Sequence, residues 1–431
     1  MQFALLLLPI MVLSGGSIDI ANVYWARQQL QNAADTAAVS SVTVNSPASV
    51  AAAAMLGDGE ISEGKTDALN LFNANIQNLT GIDSLVANAT VAKSGLNINS
   101  QVSFTANIKL SFLPLVGMTD WTVTGASQGA SNLAPYIDFY MLLDNTPSMG
   151  IAATQAGINQ MVALTQYNAS YPASLNTYIN SGNTQCAFAC HDLSASPNDF
   201  YALAATYNIP KRIDVVRLAT QNLTSTAKSS EVSANEFRMA IYTFGSSAQS
   251  IGLTQIAQLS SNLSSVSTQA NAIDVMSVPY NGYNNDQMTD FDGVLSSINT
   301  VITAPGDGSN PNAPKKVVFM VTDGVADAYY PATCSQSVLG AGRCQEPINV
   351  ADCTAIKNRG IQIAVLYTTY YPLTTNGWYN GTVAPWASQI PVNMQQCASP
   401  GLYFEVSPTD GIQQAMTALF VQVLQNVRLA K

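Results

Sequence analysis

Five short apolar runs separated by helix-length stretches constrain this chain more than any other feature. They read YIDFYMLLD, EFRMAIYTFG, KKVVFMVTDG, IQIAVLYTTYY and GLYFEVS, and all lie beyond Pro135. A strand buried on one face alternates apolar and polar residues, whereas a strand buried on both faces is apolar nearly throughout. Runs of the second kind with helical segments between them predict a doubly wound α/β domain, a parallel sheet covered by helices on both sides. In such sheets ligands sit at the carboxyl ends of the strands, where the strand order reverses. Two of the runs end in aspartate at that point, Asp144 in YMLLDNTPSMG and Asp323 in VFMVTDG.

Asp144 is followed at alternate positions by Thr146 and Ser148, and NNDQMTDFDGVL places Thr289 in a loop just before a predicted helix. Asp, Thr and Ser are also good helix N-caps, so a simple helix start is the plain alternative. Taken together, three separate loops bring two carboxylates and three hydroxyls to one end of the sheet. Hard oxygen donors with few carboxylates suit a divalent cation, Mg²⁺ first, with Mn²⁺ or Ca²⁺ as alternatives. The set resembles the metal-ion-dependent adhesion site of von Willebrand factor type A domains: D-x-S-x-S, a loop threonine, then the aspartate of a TDG. Thr146 stands where that pattern has its first serine, keeping the hydroxyl and adding a methyl. The resemblance implies a von Willebrand factor A-like domain over residues 134–431. It also implies metal ligands at Asp144, Thr146, Ser148, Thr289 and Asp323, with an open position for the acidic side chain of a protein partner.

The N-terminal stretch FALLLLPIMVLSGGSIDIANVYW, Phe3 to Trp25, carries one charge, Asp19. At about 1.5 Å per residue such a segment can cross a hydrocarbon core of roughly 30 Å. A cleaved signal peptide is the rival reading. Against it, no basic residue precedes the stretch, and a helical stripe continues through Val23, Ala26, Leu30, Ala34, Ala37 and Val42. The expectation is therefore a membrane anchor continuous with a long helix over residues 1–45. Arg27 on the outer side runs against the positive-inside rule, and the missing basic flank suggests a natural start upstream. Asp19 is expected to pack against a partner helix beside Ser14, Gly15, Gly16 and Ser17.

Residues 46–133 read as a smaller module. Helical patches extend to Leu79, then QVSFTANIKLSF alternates, with Val102, Phe104, Ala106, Ile108, Leu110 and Phe112 on one face, and DWTVTGAS follows. These are expected antiparallel strands with one buried face. A long helix leading into a small sheet is the plan of a pilin-like module. The stretch GGSIDIANVYWARQQLQNAADTAAVSS resembles the N-terminal helix of TadE/TadG-like proteins of the Tad (tight adherence) Flp pilus-assembly system. Members of the TadG kind follow it with a von Willebrand-type domain. That resemblance implies a single-pass protein of the bacterial inner membrane with its bulk in the periplasm or beyond. Its partners would be pilus-assembly components or a surface receptor.

Composition closes off other classes. The formal net charge is −10 over 431 residues and the pI about 4.4, with no basic run, so a nucleic-acid partner is not expected. Charged residues make up 10%, against roughly 25% in soluble domains, which fits an exported surface. Six cysteines and one histidine disfavour zinc. Proximity predicts three disulfides, Cys186–Cys190, Cys334–Cys344 and Cys353–Cys397, in an oxidising compartment. CAFACH is one residue longer than the haem-attachment motif C-x-x-C-H and reads better as a small disulfide loop. Without GxSxG, a P-loop or GxGxxG, no enzyme is expected. The enzymatic alternative, a metal-assisted phosphoesterase using Asp144 and Asp323, lacks a second metal or a general base. A structural alternative is a scaffold of the pilus machinery with a dispensable metal site. The C-terminal GIQQAMTALFVQVLQNVRLA reads as a last sheet-covering helix.

Overall fold

The computed structural model describes residues 2–373, 377–407 and 411–429. The chain divides into two compact units, residues 1–135 with 307–313, and residues 136–306 with 314–431.

In the first unit, α1 (Gln2–Ser40) is a single 39-residue helix. The expected stripe of Val23, Ala26, Leu30, Ala34, Ala37 and Val42 is buried throughout. It lies with α2 (Pro47–Ala54) and α3 (Ser62–Asn75) against a four-stranded antiparallel sheet. The strands are β1 (Gly59–Glu60), β2 (Ile82–Ser94), β3 (Asn97–Lys109) and β4 (Asp120–Asn132), in that spatial order. On β3, Val102, Phe104, Ala106 and Ile108 all point into the core, as their alternation requires. Close approach of α1 to β4 depends on glycine: a Cβ on Gly129 would fall 2.2 Å from the Ala38 carbonyl oxygen. β2 lies outside the sequence expectation, because its best-buried apolar positions are Ala89 and Val91, too small to register as an alternating strand.

One expectation for α1 is corrected. Asp19 does not face a partner helix. Its carboxylate accepts the backbone N–H groups of Ser111 at 2.9 Å and of Phe112 and Leu113 at 2.8 Å each, in the loop after β3. Gly15 and Gly16 leave room there for Phe112 and Leu113. Of the expected span Phe3–Trp25, the side chains at 3–9 and 11 lie outside the described residues. Among the described residues no helix is long and apolar enough to cross a membrane; Ser14, Gly15, Gly16, Ser17 and Asp19 dilute the apolar run.

The second unit begins β5 (Ile137–Leu143), α4 (Gln155–Leu164), α5 (Ala173–Tyr178), α6 (Phe200–Thr206), α7 (Arg212–Ser230), β6 (Phe237–Ser247) and β7 (Ser250–Ser260). It continues α8 (Leu263–Gln269), α9 (Phe291–Val301), β8 (Lys315–Thr322), β9 (Val325–Tyr329), β10 (Arg343–Pro347) and α10 (Val350–Lys357). It ends β11 (Gln362–Thr368), α11 (Gln389–Cys397), β12 (Tyr403–Val406) and α12 (Ile412–Leu429). Six strands form one sheet in the order β12-β11-β8-β5-β6-β7. Successive residues of β5 serve opposite cores: Phe139, Met141 and Leu143 face α7, α8 and α12, while Tyr140 and Leu142 face α9, α10 and α11.

The expected all-parallel sheet is corrected to a mixed one. β7 runs antiparallel to β6 at the edge, because only two residues, 248 and 249, join them and a parallel crossover needs a dozen or more. The order reverses between β5 and β8, whose carboxyl ends therefore flank the crevice.

Two of the expected disulfides are present. Cys353–Cys397 ties α10 to α11 and Cys334–Cys344 ties the preceding loop to β10. The expected Cys186–Cys190 bridge is not: both are free thiols. The pair hydrogen-bonds instead, which draws the Cys186 thiol pKa down and raises that of Cys190, and Cys186 Sγ also accepts the Phe188 N–H at 3.4 Å.

Candidate metal centre

Asp144 follows the last residue of β5, and its N–H donates to Val321 O on β8 at 2.9 Å. This ladder bond fixes where the chain leaves the sheet. The carboxylate is fully buried. Its Oδ1 accepts from the backbone N–H and the hydroxyl of Thr146 at 2.9 and 2.7 Å, and its Oδ2 accepts from the Thr322 hydroxyl at 2.6 Å. Thr146 Oγ1 lies 3.4 Å from Ser148 Oγ. The segment is not a simple helix start. It leads only into a short 3₁₀ turn over Pro147–Gly150, and α4 begins later with Thr154 as its own cap.

Asn145 pins this loop from behind. Its side chain donates to Gly245 O at 2.8 Å and accepts from Phe244 N at 3.1 Å, so the end of β6 holds the loop of β5.

Asp323 follows β8 directly and is 1% exposed. Neither of its oxygens has a hydrogen-bond partner of good geometry, although the Ser148 hydroxyl and the Val325 N–H stand near enough to act on its charge. The nearest compensating charge is Arg212 at the start of α7, whose Nη1 stands 3.8 Å from Asp323 Oδ2. Burial chiefly, and then the Asp144 charge, push the Asp323 pKa well up, while Arg212, the Ser148 hydroxyl and the Val325 N–H pull the other way. Burial raises Asp144 too, against the hydrogen bonds from Thr322 and Thr146. Gly324 turns the chain at φ +75° just beyond, in the left-handed region that suits glycine.

Thr289 reaches the same end of the sheet from the loop before α9. It exchanges two backbone hydrogen bonds with Asp327 on β9, at 2.8 and 3.0 Å. Asp327 is in turn gripped bidentately by Arg343 at 2.8 and 2.6 Å and by Gln345 at 2.6 Å. Arg343 lies over the Trp378 ring, 4.7 Å from its centroid. Ser148 and Thr289 both open onto a cavity of about 400 Å³, whose walls include His191, Arg343, Tyr370 and Trp378.

Asp144, Thr146, Ser148 and Asp323 thus stand together at the switch point, and Thr289 shares the adjoining cavity. A divalent cation fits this donor set. The buried carboxylate of Asp323, without a well-formed hydrogen bond and with Arg212 only at 3.8 Å, is costly beside neutral hydroxyls, and a cation there would compensate it. Arg212, Asn145 and the Asp327–Arg343–Gln345 clamp are absent from the sequence expectation. The one sequence signal for Arg212 is the basic pair Lys211–Arg212 opening a helix.

Residues 3–44 match the family model described as "Putative Flp pilus-assembly TadE/G-like". No curated protein matches the chain. Solved structures with similar topology include the vWF domain of the type V pili tip protein Mfa5 from Porphyromonas gingivalis, at 9% identity and TM-score 0.39, covering 69% of this chain and 98% of that one. A point mutant of the PilB minor pilin from Streptococcus sanguinis is similar at 10% identity and TM-score 0.34, covering 81% and 79%. The adhesive tip pilin GBS104 from Group B Streptococcus agalactiae gives 12% and 0.34, covering 79% and 70%. At that level of overlap the strand order itself is the stronger statement of the fold.

Proposed function

We infer that this chain is a TadG-like protein of the Flp pilus-assembly system whose von Willebrand factor A-like head binds a partner through a divalent cation. In this reading the first turns of α1 attach it to the bacterial inner membrane, and the head lies in the periplasm or beyond. Asp144 and Asp323 supply the carboxylates, and Thr146, Ser148 and Thr289 the hydroxyl oxygens. A divalent cation held there, Mg²⁺ foremost, offers an open coordination position that a partner's Asp or Glu can enter. Charge balance supports this. Two carboxylates and the Arg212 guanidinium leave one net negative charge; a divalent cation makes the site positive by one, which one incoming carboxylate neutralises. Binding of this kind needs no turnover, so we read the protein as a binding module and not an enzyme.

The observation that carries the reading is Asp323, nearly fully buried, with neither oxygen in a well-formed hydrogen bond and only Arg212, 3.8 Å away, as a nearby compensating charge. Calorimetric titration of the full chain with Mg²⁺ or Mn²⁺ should give one site. Asp323→Asn, nearly isosteric, should weaken it by roughly a hundredfold or more. Unchanged affinity in that variant would sink the assignment. One observation favours a second reading, a scaffold with a dispensable cation: both Asp144 oxygens already accept hydrogen bonds, and Arg212 stands near Asp323. A full chain that binds no divalent cation would leave that reading in place.

A further inference from the structure

The loop from Leu110 to Thr119, between β3 and β4, has no role in the cation site, and its chemistry is unusual for an exposed loop. It holds no charged residue, while Lys109 and Asp120 bracket it on either side. Leu115, Val116 and Met118, with Trp121 just beyond, are between 42% and 55% exposed. The neighbouring face of α1 continues the patch, with Ile10 and Leu13 at 62% and 74%. Scattered apolar residues on a surface need no explanation, but a contiguous patch of this kind marks an interaction surface.

The loop's backbone says which kind of partner. In an apolar medium each N–H must find an internal acceptor. Leu110 N donates to Thr119 O, Leu115 N to Phe112 O, Gly117 N to Pro114 O and Met118 N to Leu113 O. Pro114 has no N–H. The N–H groups of Ser111, Phe112 and Leu113 all go to the Asp19 carboxylate. The one charge in the apolar part of α1 is thereby spent on the loop and not on water, and Gly15 and Gly16 let Phe112 and Leu113 seat against the helix. Loop and helix are fastened into one apolar end.

Aromatic residues mark its rim. Gly125 on β4 packs at Gln31 and Gly129 at Ala38. Followed back four residues, Trp121 falls level with about Tyr24, roughly 7 Å along α1 from Asp19. Tyr24, Trp25 and Trp121 are all exposed, as residues of a membrane–water boundary are.

We propose that the loop between β3 and β4 is a membrane-inserted prong beside α1, dipping into the headgroup–acyl boundary of a lipid bilayer, with Asp19 as the buckle that holds it to the helix. The proposal rests on the membrane-attached reading of α1. Driven by apolar area and not by charge, insertion should not require anionic lipid, since the patch carries no basic residue.

The test reconstitutes the full chain into phosphatidylcholine vesicles with brominated acyl chains and reads tryptophan quenching beside vesicle flotation. Among the four tryptophans, Trp25 and Trp121 should supply the quenched signal, so Trp121→Phe should lose about half of it while flotation persists. Val116→Asp, at an exposed position that leaves the core intact, should also lower the quenching, with the thermal unfolding profile unchanged. Flotation with undiminished quenching in Trp121→Phe overturns the prong and leaves the anchor standing. Absence of flotation overturns the membrane reading of α1 and the prong with it. Loss of self-association in Val116→Asp, without wild-type quenching, overturns the proposal in favour of a second copy of this chain.

Discussion

Arg212 opens α7 with its side chain 1% exposed, donates to Thr369 O at 3.2 Å and leaves its Nε without a partner. Burial lowers its pKa while Asp323 foremost, with Asp144 among the lesser charges, works to raise it. A guanidinium so placed and a divalent cation would compensate the same two carboxylates, so each should matter most when the other is missing. Arg212→Met is expected to destabilise the chain by about 3 kcal/mol in chelator, where the carboxylates lose their compensating charge. In excess Mg²⁺ the loss should shrink, because a cation that binds only the folded state restores stability by mass action. Thermal unfolding of both proteins in both buffers measures this, and an equal loss in the two buffers would show that no cation replaces the charge. At this scale the sequence is informative where chemistry and strand ends coincide. Asp144 and Asp323 are legible because each ends an apolar run, and Thr146 and Ser148 follow by spacing. Arg212 is not legible, since it comes from a helix start 68 residues after Asp144 and meets the site only through the crossover. The missing Cys186–Cys190 bridge has the same lesson: sequence proximity is not bonding geometry.

Elements behind the site carry their own electrostatic tension. Asp292 in the first turn of α9 faces Asp352 in the first turn of α10, with Glu346 and Asp290 also near. Burial first, then the Asp352 charge, push Asp292 up to about 7. A carboxyl whose folded pKa lies above its unfolded value of about 3.9 contributes stability that is present below that pH and is lost as pH rises through 7. Asp292→Asn removes the titration. Its melting temperature should therefore come nearest to wild type near pH 4, and exceed it by a margin that grows through pH 7 and levels off near pH 8. A gap that does not widen between those pH values would show that the pair is relaxed by solvent. Element legibility follows packing. The four inner strands of the large sheet, β5, β6, β8 and β11, are visible as apolar runs, whereas β7 is an edge strand with few fully buried positions, and its IGLTQIAQLS has no run to read. The clamp on Thr289 is likewise invisible, because β9 and β10 are defined by their pairing with each other and not by composition.

At the scale of the whole molecule, the order of parts is readable from the residues alone: a long N-terminal helix, a small antiparallel module, then a covered sheet. What is not readable is how the helix spends its apolar surface. Hydropathy treats Phe3–Trp25 as one segment, but Asp19 and the glycines beside it serve the molecule's own loop. The two units also set separate tests for function, since the first bears the family signature over residues 3–44 and the second bears the proposed cation site. A pilus-assembly role that needs only the first unit would survive damage to the cation site; a binding role would not. In the producing bacterium, deletion of the gene should reduce piliation or surface attachment. A strain carrying only Asp144→Ala should show the same defect if the head grips its partner through the cation. The variant protein should still accumulate, because strand-end loops carry little of the core, and its level in envelope fractions checks this. If that strain assembles pili and attaches like wild type while the deletion does not, the cation is dispensable and the chain acts as a scaffold. If both strains fail with the variant protein present at normal levels, the carboxylate at the end of β5 is needed for attachment itself.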